Sequence, residues 1–240
     1  MRTELRLDAA PGRLTRIEAV GGLAARHTGP ETVHLIGTAA TPLGGDELDI
    51  TVVVRPGARL TVRSVAATLA LPGRHALLST ARWTVEVGEN ATLDFAPEPT
   101  VVAGGAAHHA VTVVRLAPGA TLRLRERVQI GRTGEDEGTW RGDLVADLAD
   151  LPLLRHRLAL GARTATDDTL TAPRALDSEL RYPDDRPART DGLAAARLPL
   201  AAGGSLTTTL TARLAAAPSG PALSADDAAD RPRLSAPASR

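Results

Sequence analysis

Hydrophobic positions along much of this chain recur every second residue, and the alternation runs through three copies of one short phrase. The copies are RPGARL at 55–60, GENATL at 88–93 and APGATL at 117–122. Aligned on Gly57, Asn90 and Gly119, the apolar residues before the turn are Val52 and Val54, Val85 and Val87, and Val114 and Leu116. After it come Ala58, Leu60 and Val62; Ala91, Leu93 and Phe95; and Ala120, Leu122 and Leu124. A period of two lays one face of an extended strand on a core. The phase survives the turn in every copy, which marks a structural repeat at intervals of 33 (57 to 90) and 29 (90 to 119) residues.

The turn chemistry agrees. Pro56-Gly57 and Pro118-Gly119 suit the central positions of a type II turn, where Gly supplies positive φ and Asn is the next best choice. That geometry opposes the twist of a tight two-residue hairpin, so it predicts a corner that passes the chain onward. A three-residue loop with a bulge would use Gly at the same place. The expected fold is all-β: stacked strand-rich repeats in a β-solenoid or sandwich-like body, with few short helices. One domain is expected over 1–217. Within it, 198–214 reads as a weaker, Thr-rich strand–turn–strand copy, 163–192 as loops with one short helix, and 131–142 as a charged, Gly-rich loop. Residues 218–240 hold too little apolar matter to fold alone and are expected to form a disordered tail.

Composition narrows the chemistry. The chain has 240 residues, enough to hide roughly 70–75% of its extended surface. Net charge is zero and Arg supplies every basic charge, which argues against a nucleic-acid or anionic-membrane partner. Aromatics make up 2%, too few for base stacking or a sugar-binding groove. Without cysteine there is no thiolate catalysis, disulfide or Cys-based zinc site. No apolar run reads as a signal peptide or membrane span, so a cytoplasmic location is the expectation.

Catalytic signatures are absent: no G-x-S-x-G, no H-E-x-x-H, and an AGGAA stretch (103–107) without the context of a phosphate loop. His108 and His109 would point to opposite faces of a strand, which makes a poor two-ligand site. Acidic clusters remain: Asp46, Glu47 and Asp49, and Glu135, Asp136 and Glu137. Oxygen ligands hold borderline cations weakly and reversibly, as a conduit requires; a solvated loop is the bland alternative.

Several stretches together resemble the urease accessory protein UreD (UreH) family. LGGDELDITVVVRPGARLTV (43–62) with AAT (66–68) is similar to its G-G-D segment, alternating strand, P-G-A turn and T-T-x-x-A-T-K-x-Y phrase. ATLDFAPEPT (91–100) resembles A-x-L-E-W-L-P-Q-P-T, IGRTGEDEGTWRG (130–142) its G-R-x-x-x-G-E loop, and DLADLPLLRHRLAL (147–160) the strand leading to P-L-x-x-D-R. Leu69 and Leu71 stand where that pattern has Lys and Tyr. The resemblance implies a non-enzymatic chaperone of urease maturation: a scaffold working with a UreF-like protein and a UreG-like GTPase to deliver nickel to apo-urease. It implies no tightly bound cofactor, only transient Ni²⁺ in a polar passage, with Asp46 and Glu47 as first candidates to line it and Glu135 as a third. The rival readings are a carbohydrate-active β-solenoid enzyme and a purely structural β-module.

Overall fold

Alternating strands that bend at a Gly or Asn stack into layers, and the computed structural model describes such a body over residues 1–215, apart from the side chains of residues 168 and 169. The chain opens with β1 (Arg2–Ala9), β2 (Arg16–Val20), β3 (Leu23–Gly29) and β4 (Thr32–Gly37). The repeats follow: β5 (Glu47–Val54), β6 (Arg59–Ser64), β7 (Thr68–Ala70), β8 (Leu78–Val87), β9 (Thr92–Phe95), β10 (Thr100–Val102), β11 (Ala107–Leu116) and β12 (Thr121–Ile130). After them come β13 (Thr139–Leu148), β14 (Leu151–Gly161), the helix α1 (Ala165–Thr169), β15 (Ala175–Tyr182), β16 (Arg189–Asp191), β17 (Ala195–Pro199) and β18 (Ser205–Thr211). One sheet has seven strands in the order β14-β13-β11-β8-β5-β1-β2. The other has eleven, β16-β17-β18-β15-β12-β9-β6-β4-β3, with β7 and β10 beside that path. No helix among the described residues is long and apolar enough to cross a membrane.

Each repeated phrase is a corner that carries the chain from the first sheet to the second: β5 to β6, β8 to β9, β11 to β12. Gly57, Asn90 and Gly119 sit at φ of 69°, 53° and 72°. The turns close with Ala58 N donating to Arg55 O (2.9 Å), Ala91 N to Gly88 O (3.1 Å) and Ala120 N to Ala117 O (3.1 Å). The corners also bond one another, Gly57 N to Glu89 O (2.8 Å) and Asn90 N to Pro118 O (3.3 Å). Successive repeats therefore stack in register, and β5, β8 and β11 pair in parallel, as do β6, β9 and β12. The AGGAA stretch is another such corner: Ala106 N donates to Ala103 O (3.0 Å), Gly105 has φ of 75°, and the chain returns from β10 to β11.

Three local expectations are corrected. Residues 163–192 contain the expected short helix, but they also supply β15, an inner strand between β12 and β18. Its outward Asp177 and Glu179 find guanidinium partners on β12, Arg125 and Arg123, so a polar segment becomes a strand through non-local pairing. Stretch 198–214 is strand–turn–strand, but β17 and β18 form an antiparallel hairpin within one sheet and not a copy of the corner. The 131–142 loop extends to Gly138, after which β13 begins. The expected tail boundary at 217/218 lies outside the described residues.

The inward rows pack into two apolar clusters. The larger includes Leu7, Ile50, Leu60, Leu93 and Leu122, and the smaller Val128, Ile130, Trp140, Leu160 and Leu176. Each fully buried Leu or Ile stabilises the body by roughly 1.5–3 kcal/mol.

Candidate functional site

Three strands break their apolar inward row at the same level, between the two clusters. On β11 Thr112 separates Ala110 of the smaller cluster from Val114 of the larger. On β12 Glu126 separates Val128 from Leu124, and on β15 Ser178 separates Leu176 from Leu180. Glu126 and Ser178 are direct partners in the β12–β15 register. A polar belt thus crosses the interior.

The sheet is interrupted beside that belt. β9 pairs with β12 as far as Phe95 and Leu124, and β10 resumes the pairing at Thr100 and Val128. Residues 96–99, Ala-Pro-Glu-Pro, lie between, and proline has no N–H to give a ladder. The neighbouring strand on the other side of β9 breaks at the same place, between the end of β6 at Ser64 and the start of β7 at Thr68. Behind the breaks a cavity of about 390 Å³ opens between the sheets, bordered by Pro97, Glu98, Trp83, His108 and Glu126. A smaller space of about 50 Å³ adjoins it, sharing Trp83, Pro97, Glu98 and Glu126 and adding Thr112. Trp83 packs edge-on against Phe95, with ring centroids 5.2 Å apart.

Glu126 has no ion pair or hydrogen bond among the described residues. It is half-buried, with part of its surface open to the cavity, and burial pushes its carboxyl up to about 7. His108 faces the same cavity from β11. Burial, reinforced by neighbouring His109, takes its imidazole down to about 4, so it is neutral at physiological pH. Its Nδ1 lies 2.9 Å from the hydroxyl of buried Ser79, which leaves Nε2 free of any protein partner among the described residues. A carboxylate and a neutral imidazole bordering one cavity can receive a cation without enclosing it.

The acidic residues singled out in the sequence have other surroundings. Asp46 is buried at 6% exposure; its carboxylate accepts from the Thr41 hydroxyl and the Leu43 amide, both at 2.9 Å, and pairs with the Met1 amino group. Burial alone would raise its carboxyl, but these partners hold it below the usual range. Through Thr41, Asp46 fixes a segment that borders the cavity. Glu47 is exposed on the outer face of β5, the face opposite Leu48, which does border it. Glu135 staples its loop, accepting from the Gly104 amide (2.9 Å) and from Arg132, whose guanidinium holds its carboxyl down at about 2. Among the described residues no three His, Asp or Glu side chains gather as a metal-ion cluster. His108 and His109 do point to opposite faces, His109 bonding Asp143 at 2.7 Å. Glu126 was legible as the one charged residue in the inward phase of Leu122, Leu124, Val128 and Ile130.

A family model described as UreD urease accessory protein matches residues 2–180. The chain belongs to this family. Among curated relatives, urease accessory protein UreD of Frankia casuarinae is 43% identical over 180 residues, covering 71% of this chain and 56% of the relative. That of Frankia alni is 49% identical over 146 residues, 54% of this chain and 49% of the relative. Urease accessory protein UreD 1 of Saccharopolyspora erythraea is 40% identical over 194 residues, 80% of this chain and 76% of the relative. The chain spans about half the length of the two Frankia relatives it matches. The UreD match runs from β1 into β15, so it takes in the polar belt, both sheet breaks and all three corners.

Proposed function

We propose that this UreD-family chain acts in urease maturation as a non-enzymatic scaffold which, with UreF-like and UreG-like GTPase partners, takes part in delivering nickel to apo-urease. The cavity between the sheets is the cation's route in this reading. One observation carries it: an unpaired carboxylate, Glu126, at an inward strand position in a cavity. A carboxylate at an inward strand position with no protein partner among the described residues is met only by what enters the cavity, which leaves it free to receive a cation that visits. Nickel is cargo here, held too loosely by one carboxylate and one imidazole to be trapped.

Co-expression of urease with the Glu126→Gln variant tests the proposal, reading nickel per urease active site and pull-down of urease and the UreF-like protein. Loading is expected to fall about tenfold with pull-down intact; full loading overturns the route. Asp46→Ala, Glu47→Ala and Glu135→Ala are separate arms. Any of them that lowers loading with pull-down intact adds its carboxylate to the route, and lost loading with lost pull-down assigns it to docking.

A further inference from the structure

The cavity wall beside Glu126 is held differently from the rest of the sheet. Over residues 125–127, β12 has no ladder partner among the described residues on its β9/β10 side, and the wall there is the strap 96–99. The strap's ends are anchored by backbone bonds, Ala96 N to Val62 O (3.0 Å) and Pro99 O from Thr68 N (2.9 Å). Between them, among the described residues, only bonds to side chains hold it. The Glu98 amide donates to Ser64 Oγ at 2.8 Å, and that hydroxyl donates in turn to Ala66 O (3.0 Å) in the adjacent break. Arg127 donates to Pro97 O at 3.2 Å and pairs with the Glu98 carboxylate at 3.2 Å.

The latch is imperfectly satisfied. Arg127 Nε is buried with no hydrogen-bond partner among the described residues, a state that disfavours the closed arrangement. Glu98, by contrast, keeps 41% of its side chain exposed, so water competes for its carboxylate. Lifting Pro97 and Glu98 between the anchored ends would hydrate Nε and leave both backbone anchors intact.

We propose that residues 96–99 form a gate to the cavity, latched shut by Arg127 through Glu98 and Pro97 and clipped by Ser64. This deepens the reading of the cavity as a cation route and rests on it for its purpose, but its test uses neither metal nor urease. The probe is acrylamide quenching of Trp83, which borders both the main cavity and the smaller space, in a Trp140→Phe background; Trp140 is only 2% exposed and lies in the other cluster. Arg127→Gln and Glu98→Gln are each expected to raise the quenching constant about threefold and to speed exchange of the residue-98 amide about tenfold. Arg125→Gln, whose guanidinium bonds Asp177 instead, is expected to change neither. Unchanged quenching in both latch variants overturns the gate, as does an equal rise in Arg125→Gln, which would report general loosening. Should Arg127→Gln fail to fold, Glu98→Gln decides alone. Failure of Glu126→Gln to lower nickel loading would overturn the route and leave this measurement standing.

Discussion

Glu126 couples the interior to pH. Its carboxyl rises from an ordinary 4.5 to about 7 because burial disfavours the charge. The folded-state value is the higher, so between these limits the native state holds a proton that the unfolded chain has released. Stability therefore falls as pH rises from about 4.5 to about 7 and is level beyond. Glu126→Gln removes that slope, while every other group titrates alike in the two proteins. Since water can reach the carboxylate from the cavity, only part of the full shift should appear: the variant is expected to be about 1–2 kcal/mol more stable at pH 8 and equal near pH 4. Urea midpoints at the two pH values check this, and equal midpoints at pH 8 would mean that Glu126 is hydrated as if at the surface.

The element that organises the body is the corner, and its chemistry is a backbone angle. A Cβ added to Gly57 would meet nothing nearer than Pro11 Cγ at 3.9 Å, so any penalty there comes from φ and not from crowding. Gly57→Val should lose about 1–3 kcal/mol, because a β-branched residue resists positive φ. Gly57→Asn should lose well under about 1 kcal/mol, since Asn tolerates this region and Asn90 already holds φ of 53° at the next corner. Denaturation midpoints of the pair separate the causes: equal losses would locate the effect in the new side chain and not in the angle. Gly119 is more constrained, for a Cβ there would lie 2.2 Å from Asn90 Oδ1, the price of stacking one corner on another.

Across the whole molecule, the two apolar clusters share β11, β12 and β15, each of which contributes residues to both sides of the polar belt. Shared strands couple the clusters, so the body is expected to unfold in one cooperative step. The two tryptophans make this testable, because Trp83 packs on the larger cluster and Trp140 belongs to the smaller. Single-tryptophan variants should give the same thermal midpoint by fluorescence, coincident with far-UV circular dichroism. Midpoints several degrees apart would show that the belt divides the body into separately folding parts.

Period-two alternation and positive-φ turn residues are local properties, each settled within about ten residues, and they sufficed to read an all-β repeat with corners at Gly57, Asn90 and Gly119. Strand β15 was not legible in this way: its sequence, ALDSELRY, is half polar, and it is a strand because β12 offers Arg123 and Arg125 to its acids more than fifty residues away. The acidic residues show the same limit. In sequence Asp46, Glu47 and Glu135 look alike, but the tertiary structure makes the first a turn clamp, the second an outward surface group and the third a loop staple. Glu126 had a local signal, a charge in an apolar phase, yet that phase says only that the side chain points inward. Whether it meets packed leucines or open space depends on two strand breaks, at 65–67 and 96–99, lying side by side. That alignment is set by the stacking of whole repeats, and no window of sequence contains it.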